Sequence, residues 1–595
     1  MEKEIVIQQF LTENQQLAIA LGEAETLEDA RKAILRYIFE FESITLNTNQ
    51  YKNPMERSVA RKCINTLKNI FSKRSEQLTE YSAVEAIWKL SNNKESEITR
   101  EFILDVRHMF LGMKGETGLY SVTSNDMPEE RMETNRTISK ERSDVLDGIA
   151  YNAFNWIKKY AVGLDSEIVA KREKNKKRIQ QLYNASDEQW NDWKWQCRNV
   201  IRDLQTASEV INLTESERRA ITIAKENGLP FGITPYYAML MDEQTDRQYD
   251  HAVRSQVIPP LKYAEYMASR KNTQMEELDF MGEMDTSPED LITRRYPMIS
   301  IFKPYNTCSQ ICVYCQRNWE IDDVLAEDAQ APKNKLANAI EWYRNHPCVT
   351  EILITGGDPA IMSDQVFQRL LEQFSQIEHI TRIRIGTRIP VVMPMRITDQ
   401  FADMLASFKA PGKREICIMT HFEHTYEVTP EAMEAVQKLR SRNIPVYNQG
   451  VYTIENARRF EMVALRKQLR LIGVDPYYTF NTKGKEETRH YRIPIARLIQ
   501  EQTEEARLNP GLERTDEAVY NIPRLGKNYL RSGQDHEVIM VLPSGERVYE
   551  FYPWDTSMQD ISPYLYVDVP VQEFLDRIEA KGDSAEDYSS IWYYM

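Results

Sequence analysis

The sequence predicts an α/β protein: a partial (β/α)6 barrel preceded by an all-helical N-terminal extension and followed by a C-terminal region that contains a hairpin. Three observations carry this. From Met298 onwards short apolar runs alternate with helical stretches, the rhythm of a parallel sheet with helices outside it. Before about residue 185 apolar residues recur at three- and four-residue steps. Near the end, Glu537–Leu542 and Arg547–Tyr552 flank a Pro543-Ser544-Gly545 turn in strand-like alternation. The 595 residues accordingly divide into a helical extension (1–185), a helical collar (186–296), the barrel (297–500) and the C-terminal region (501–595).

In the extension, Leu27–Phe41, Val84–Leu90 and Ile98–Phe110 carry helical spacing, and the polar stretch Ser121–Ser143 is expected to be a loop. The basic run Lys171–Arg178 has the character of a solvated helix face. No catalytic constellation stands out here, so a partner-binding or oligomerising module is expected. The collar opens near Trp190, and Thr214 with Glu217 three residues on forms a capping box. Barrel strands are expected at Ile299–Phe302, Glu351–Ile354, Arg382–Ile385, Glu415–Met419, Ile444–Tyr447 and Pro476–Phe480. Chemistry in such folds collects on the loops that follow the strands.

The formal net charge of −15 argues against nucleic acid as a partner, because the phosphate backbone rewards positive surface. No apolar run approaches the ~18–20 residues that span a bilayer, and MEKEIVIQQFL lacks a signal-peptide core, so a cytoplasmic protein free of membrane is expected. The seven cysteines form no disulfide framework. Three of them crowd into eight residues: Cys308-Ser-Gln-Ile-Cys312-Val-Tyr-Cys315.

Thiolates hold iron–sulfur clusters, and three on one loop bind three irons of a cubane while leaving the fourth open. That vacancy is what S-adenosylmethionine chelates through its amino and carboxylate groups. A structural zinc wants four closed ligands, and no fourth Cys or His sits close in sequence. One strand later Gly356-Gly357-Asp358 ends the run EILI, where paired glycines let the backbone approach a ligand closely.

At this point the sequence resembles the lysine 2,3-aminomutase family of radical S-adenosylmethionine enzymes, over roughly residues 190–555. The motifs are WNDWKWQCRN, ITPYY at 233–237, RRYP at 294–297, the cysteine loop, ITGGDPA, RIGTRIPVVMPMRIT at 384–398, THFEH at 420–424, NQ at 448–449 and DPYY at 475–478. Residues 1 to about 185 have no counterpart, and the family's C-terminal cysteines are missing, so no zinc is expected there. The resemblance implies a 4Fe-4S cluster, S-adenosyl-L-methionine and pyridoxal 5'-phosphate. Together they move an amino group from the α to the β carbon by a radical route, the cofactors carrying the difficult chemistry. It also implies a low-potential electron donor such as flavodoxin or ferredoxin, and assembly into homo-oligomers.

By matching motif, Lys527 is the Schiff-base lysine, although only Gly526 remains of the several glycines the family places before it. Arg317 matches the arginine that grips the substrate α-carboxylate, for which a guanidinium fork is suited. Arg295 and Tyr296 match residues near the cofactor phosphate; His421 and Gln449, with Gly356, Gly357 and Asp358, are placed in the S-adenosylmethionine pocket.

Where lysine-specific members carry two aspartates for the distal ammonium, this chain has Lys483 and Asn521. That pair resembles the glutamate 2,3-aminomutase branch and implies conversion of L-glutamate to β-glutamate. Aspartate or lysine as substrate, modification of a protein-bound residue, and a non-catalytic interaction protein stand as alternatives.

Overall fold

The computed structural model describes residues 2–46, 54–92, 94, 97–119, 135–243, 249–270, 278–317, 320–321, 323–482, 484–523, 526–530, 536–551 and 564–595. The chain clusters into two compact units. One comprises Met1–Asn152, Arg492–Glu505 and Asn528–Met595; the other comprises Ala153–Tyr491 and Ala506–Lys527. This differs from the four consecutive segments expected from the sequence. The C-terminal region is shared out: its first part adds strands to the large sheet, and its hairpin folds with the N-terminal helices. No helix among the described residues is long and apolar enough to cross a membrane.

The larger unit is organised by a mostly parallel nine-stranded sheet whose spatial order follows the chain: β1 (Ile292–Thr293), β2 (Ile299–Tyr305), β3 (Glu351–Gly356), β4 (Arg382–Gly386), β5 (Glu415–Thr420), β6 (Val446–Tyr452), β7 (Asp475–Asn481), β8 (Glu517–Ile522) and β9 (Gly526–Tyr529). β1 runs antiparallel to β2, and every pairing from β2 to β8 is parallel. Parallel neighbours need crossovers, supplied between β2 and β7 by helices Lys333–Asn345, Asp364–Ser375, Asp399–Ser407, Pro430–Arg440 and Glu461–Ile472. Helix Asp364–Ser375 illustrates the logic: Ser363 caps it by accepting the Val366 N–H, and Phe367, Leu370, Leu371 and Phe374 make one buried stripe. Since the strands run the same way, the loops after them gather along one edge of the sheet.

Each expected barrel strand lies in β2–β7, with one shift. Ile444 closes the preceding helix, its N–H bonded to Leu439 O at 3.1 Å, so β6 starts at Val446. β8 and β9 were not anticipated, and Lys527, expected on a loop, stands on β9. The capping box is present: Thr214 Oγ1 accepts the Glu217 N–H at 3.2 Å, and Glu217 accepts the Thr214 N–H at 2.8 Å. The basic run is not wholly solvated. Arg172 is 4% exposed and lies over the Tyr426 ring at 4.0 Å.

In the smaller unit, the expected helices appear as Leu27–Leu46, Ala83–Ser91 and Arg100–Lys114. The polar stretch expected as a loop lies outside the described residues as far as 134; from Asn135 it is helix, part of Asn135–Ile157, as its Lys, Glu and Arg content permits. The hairpin forms β10 (His536–Val541) and β11 (Arg547–Phe551), joined by β12 (Tyr564–Val567) in an antiparallel sheet. Arg547 on β11 makes a two-pronged pair with Asp105, at 2.9 and 2.8 Å, and both side chains are 1% exposed. It also donates to Trp592 O at 2.8 Å. Breaking a buried pair from one side leaves the other charge uncompensated. Asp105→Ala is therefore expected to destabilise this unit by about 3–5 kcal/mol, read as an earlier denaturant midpoint of the full chain.

Candidate active site

One cavity of about 350 Å³ lies against the loops after the strands of the larger unit. Cys308, Cys312, Cys315 and Arg317 reach it from the loop after β2, and Gly356, Gly357 and Asp358 from the end of β3. His421 comes from the loop after β5, Gln449 from β6, Asn521 from β8 and Lys527 from β9; Arg295 and Tyr296 enter between β1 and β2. Lys483 lies outside the described residues.

The cysteine loop is held by its backbone. Ile311 N–H donates to Gly232 O at 3.0 Å, Val313 N–H to Gln256 O at 2.7 Å, and Leu325 N–H to Cys308 O at 3.1 Å. The Gly-Gly turn docks against the start of this loop: Gly357 N–H donates to Tyr305 O, and Asp358 N–H to Thr307 O, each at 2.8 Å. A Cβ on Gly357 would sit 2.1 Å from Thr307 O. At Gly356, where φ is +118°, it would sit 2.7 Å from Tyr305 O. The glycines expected to admit a ligand thus admit the neighbouring backbone as well.

Asp358 commits its carboxylate to protein groups. It accepts from Thr387 Oγ1 at 2.6 Å, Ala360 N–H at 3.1 Å and Arg388 N–H at 2.9 Å. It therefore shapes the loop after β4, while burial holds its carboxyl above the usual range.

Cys315 Sγ accepts the Arg317 backbone N–H at 3.3 Å, and Cys312 Sγ accepts Arg388 Nη1 at 2.9 Å. Burial pushes both the Cys308 and Cys312 thiols up; Asp358 adds to the rise at Cys308, and Arg388 opposes it at Cys312. Buried thiols of this kind ionise when a metal takes the place of their protons. Three on one loop fit an iron–sulfur cluster with one open iron.

Lys527 has the environment of an amine nucleophile. Its Nζ lies 4.8 Å from the Tyr296 ring centre and 5.1 Å from that of Tyr478, and its backbone N–H donates to the Tyr296 hydroxyl at 2.6 Å. Burial, reinforced by Arg384 and Arg295, pulls the amine down to about 8. Arg295 supplies an anion site alongside: its Nη2 pairs with Glu283 at 3.3 Å, while its Nε is buried without a hydrogen-bond acceptor. A carbonyl cofactor bearing a phosphate, such as pyridoxal phosphate, fits this pair.

Arg317 Nε pairs with Glu283 at 3.2 Å and with Glu320 at 3.5 Å, and Nη1 donates to Gly356 O at 3.4 Å. Glu283, 1% exposed at its side chain, also faces Lys303 at 3.4 Å and accepts from Gln316 at 2.6 Å. Burial alone would raise Glu283, but Arg317, Arg295 and Lys303 hold it well below the usual carboxylate range. Glu320 also pairs with Lys303 at 2.7 Å, so two carboxylates face three cations and one positive charge is left over for a ligand anion.

Sequence reasoning missed Glu283, Arg388 and Glu423. Arg388 and Glu423 lie inside the RIGTR and THFEH motifs, which marked them without a role; Glu283 carried no signal. Glu423 accepts the Val451 N–H at 2.6 Å and is pushed up to about 8 by burial. A separate group, His251, His424 and Glu461, has ligand atoms within 4.8 Å of one another, but it is closed by hydrogen bonds. His424 Nδ1 accepts the Tyr426 N–H at 3.0 Å, which places its ring proton on Nε2, 3.0 Å from Glu461. A metal on Nε2 would move that proton to Nδ1, against the facing N–H.

No protein-family model matches the chain. It is 42% identical to an uncharacterized KamA family protein of Methanocaldococcus jannaschii, over 96% of this chain and 95% of that protein. It is 34% identical to a glutamate 2,3-aminomutase of Clostridioides difficile, over 54% of this chain and 72% of that protein. It is 35% identical to an L-lysine 2,3-aminomutase of Bacillus subtilis, over 54% of this chain and 65% of that protein.

A lysine whose folded pKa lies near 8, below its ordinary 10.5, costs stability wherever both states are protonated. That cost is full below pH 8 and disappears as the pH rises towards 10.5, because over that window the unfolded chain binds the extra proton. Lys527→Met is expected to raise the melting temperature at pH 7, with a gain that shrinks by pH 10; a gain independent of pH would contradict the titration.

Proposed function

This chain belongs to the KamA family, and on that premise we propose that it is a radical S-adenosylmethionine, pyridoxal-phosphate-dependent 2,3-aminomutase acting on an acidic amino acid, converting L-glutamate to β-glutamate. The observation that carries the proposal is the convergence of Cys308, Cys312, Cys315, Arg317, Arg295 and Lys527 on one cavity. The mostly parallel sheet is, on this reading, the family's partial barrel. When bound, the cluster with S-adenosylmethionine supplies a hydrogen-abstracting radical, and pyridoxal phosphate supplies a covalent handle for the migrating amine.

The residues of the chain bind, charge and orient. Cys308, Cys312 and Cys315 would hold the cluster, and Gly356, Gly357, His421 and Gln449, which line the same cavity, would hold the S-adenosylmethionine. Lys527 would hold the cofactor through its carbonyl, and Arg295 would meet its phosphate, with the Tyr296 ring packed against Lys527. Arg317, steadied by Glu283, grips the α-carboxylate with its planar fork.

Charge supports an acidic substrate. Cations Arg295, Arg317, Arg384, Arg388, Lys485 and Lys527 line the cavity against the carboxyls of Asp358 and Glu423. Five of these cations have carboxylate partners outside the lining: Glu487 pairs with Lys485 and Glu427 with Arg388, each at 2.7 Å, Glu283 with Arg317 and Arg295, and Glu351 with Arg384, so those acids are engaged already. A lysine ammonium at the far end would stand uncompensated, at a cost of about 3–5 kcal/mol. A side-chain carboxylate would accept from Asn521, which faces the cavity; by matching motif, Lys483 is the cation to join it. An external low-potential donor such as flavodoxin or ferredoxin delivers the electron, and the chain acts as a homo-oligomer.

The test is anaerobic incubation of reconstituted protein with S-adenosylmethionine, pyridoxal phosphate and a mixture of amino acids, read for β-amino products. β-Glutamate is expected; a product from lysine alone would overturn the substrate assignment. Lys527→Ala is expected to abolish turnover. Lys483→Asp with Asn521→Asp is expected to lower glutamate turnover at least about a hundredfold, the rate equivalent of roughly 3 kcal/mol, and unchanged kinetics would count against the assignment.

A further inference from the structure

Among the described residues, Arg388 is the charged side chain that donates a hydrogen bond to one of the three loop cysteines, and the proposed function gives it no role toward substrate or pyridoxal phosphate. It follows β4, its side chain is 12% exposed, and Nη1 reaches Cys312 Sγ at 2.9 Å. The rest of the guanidinium is fixed from three other segments. Nη2 pairs with Glu427 at 2.7 Å, lies 3.2 Å from the Tyr237 hydroxyl and donates to Gln256 Oε1; Nε donates to His421 O at 3.3 Å. Its backbone N–H is held by Asp358 at 2.9 Å.

Glu427 is fully buried and is itself locked, accepting the Glu423 and His424 N–H groups at 2.7 and 3.2 Å on its other oxygen. Were the arginine to swing away, that buried carboxylate would keep its hydrogen bonds from the Tyr237 hydroxyl and the Gln256 amide but lose its countercharge. A cation fixed this firmly against a sulfur is a permanent feature of the cluster site.

We infer that Arg388 is a positioning residue of the cluster: it donates to the Cys312 thiolate, offsets its charge and makes the bound cluster easier to reduce. The inference rests on the reading that the three cysteines hold a cluster. Reduction adds one negative charge to a group already ligated by three thiolates, the electron coming from an external low-potential one-electron donor. A fixed cation at one sulfur stabilises the reduced state more than the oxidised one, and hydrogen bonds to sulfur act in the same direction. No bond is made or broken at Arg388. Cys315 receives a backbone N–H, which no side-chain substitution removes. The contact at Cys312 is the one a substitution isolates.

The experiment compares wild type, Arg388→Gln and Arg388→Lys as full chains reconstituted anaerobically with iron and sulfide. Iron and sulfide per chain are measured, with the midpoint potential from a redox titration followed by electron paramagnetic resonance, without S-adenosylmethionine. Arg388→Gln is expected to shift the midpoint to more negative potential, and Arg388→Lys, which keeps the charge, to recover most of the shift. If Arg388→Gln loses iron while Arg388→Lys retains it, charge compensation is needed even for assembly, and the inference stands. An unchanged midpoint in Arg388→Gln, equal shifts in both variants, or equal loss of iron from both would overturn it, leaving a packing role. A wild-type chain that assembles no cluster would instead remove the reading beneath it.

Discussion

The contact between Gly357 and Thr307 sets the spacing on which the site depends. A Cβ at 357 would lie 2.1 Å from the Thr307 carbonyl oxygen, so the turn after β3 and the loop after β2 touch backbone to backbone. Two hydrogen bonds of 2.8 Å close that contact. Its consequences run outward: Asp358, fixed by the second bond, turns its carboxylate to Thr387 and the Arg388 N–H, and Arg388 in turn reaches Cys312. One tight approach therefore aligns three consecutive loops around the sulfurs. A larger residue would displace main chain, which has no rotamer to yield.

Charge is arranged with the same economy. Glu283 holds Arg317 and stands beside Arg295 and Lys303, so one buried carboxylate orients three cations, with Glu320 as a second partner to Arg317 and Lys303. Glu427 does the corresponding work for Arg388. Both acids lie behind the groups that face the cavity, and neither was visible as a partner in the sequence. Glu283 lies 34 residues before Arg317, and Glu427 lies 39 residues after Arg388. Pairings at such separations are made by the fold, not by any local pattern.

What was legible follows from how local each signal is. The β2–β7 strands could be read because a buried parallel strand is a short apolar run between helices, and the cysteine spacing could be read because three ligands share one loop. β8 and β9 escaped because each is short and, among the described residues, no helix separates them, Pro523 and Gly526 reading as a turn, so their strand character comes from pairing with β7 and beyond. The clustering into two discontinuous units escaped for a related reason. The Arg547–Asp105 pair joins positions 442 residues apart, and no composition shift announces it. The glycine pair was recognised as a point of close approach, but what approaches is the Thr307 main chain.

Lys527 and Arg317 show burial used in opposite senses within one cavity. Burial works against the charge of both. At Arg317 the neighbouring Glu283 and Glu320 outweigh it, and the guanidinium is held more firmly charged than usual. At Lys527 burial prevails: among the described residues no carboxylate pairs with it, Arg384 and Arg295 repel its proton, and the rings of Tyr296 and Tyr478 cover it. A permanent cation can only grip an anion, whereas an amine that readily loses its proton can attack a carbonyl. The site thus separates the two kinds of group by where it places carboxylates: a firmly charged guanidinium at Arg317, and at Lys527 an amine that gives up its proton more readily.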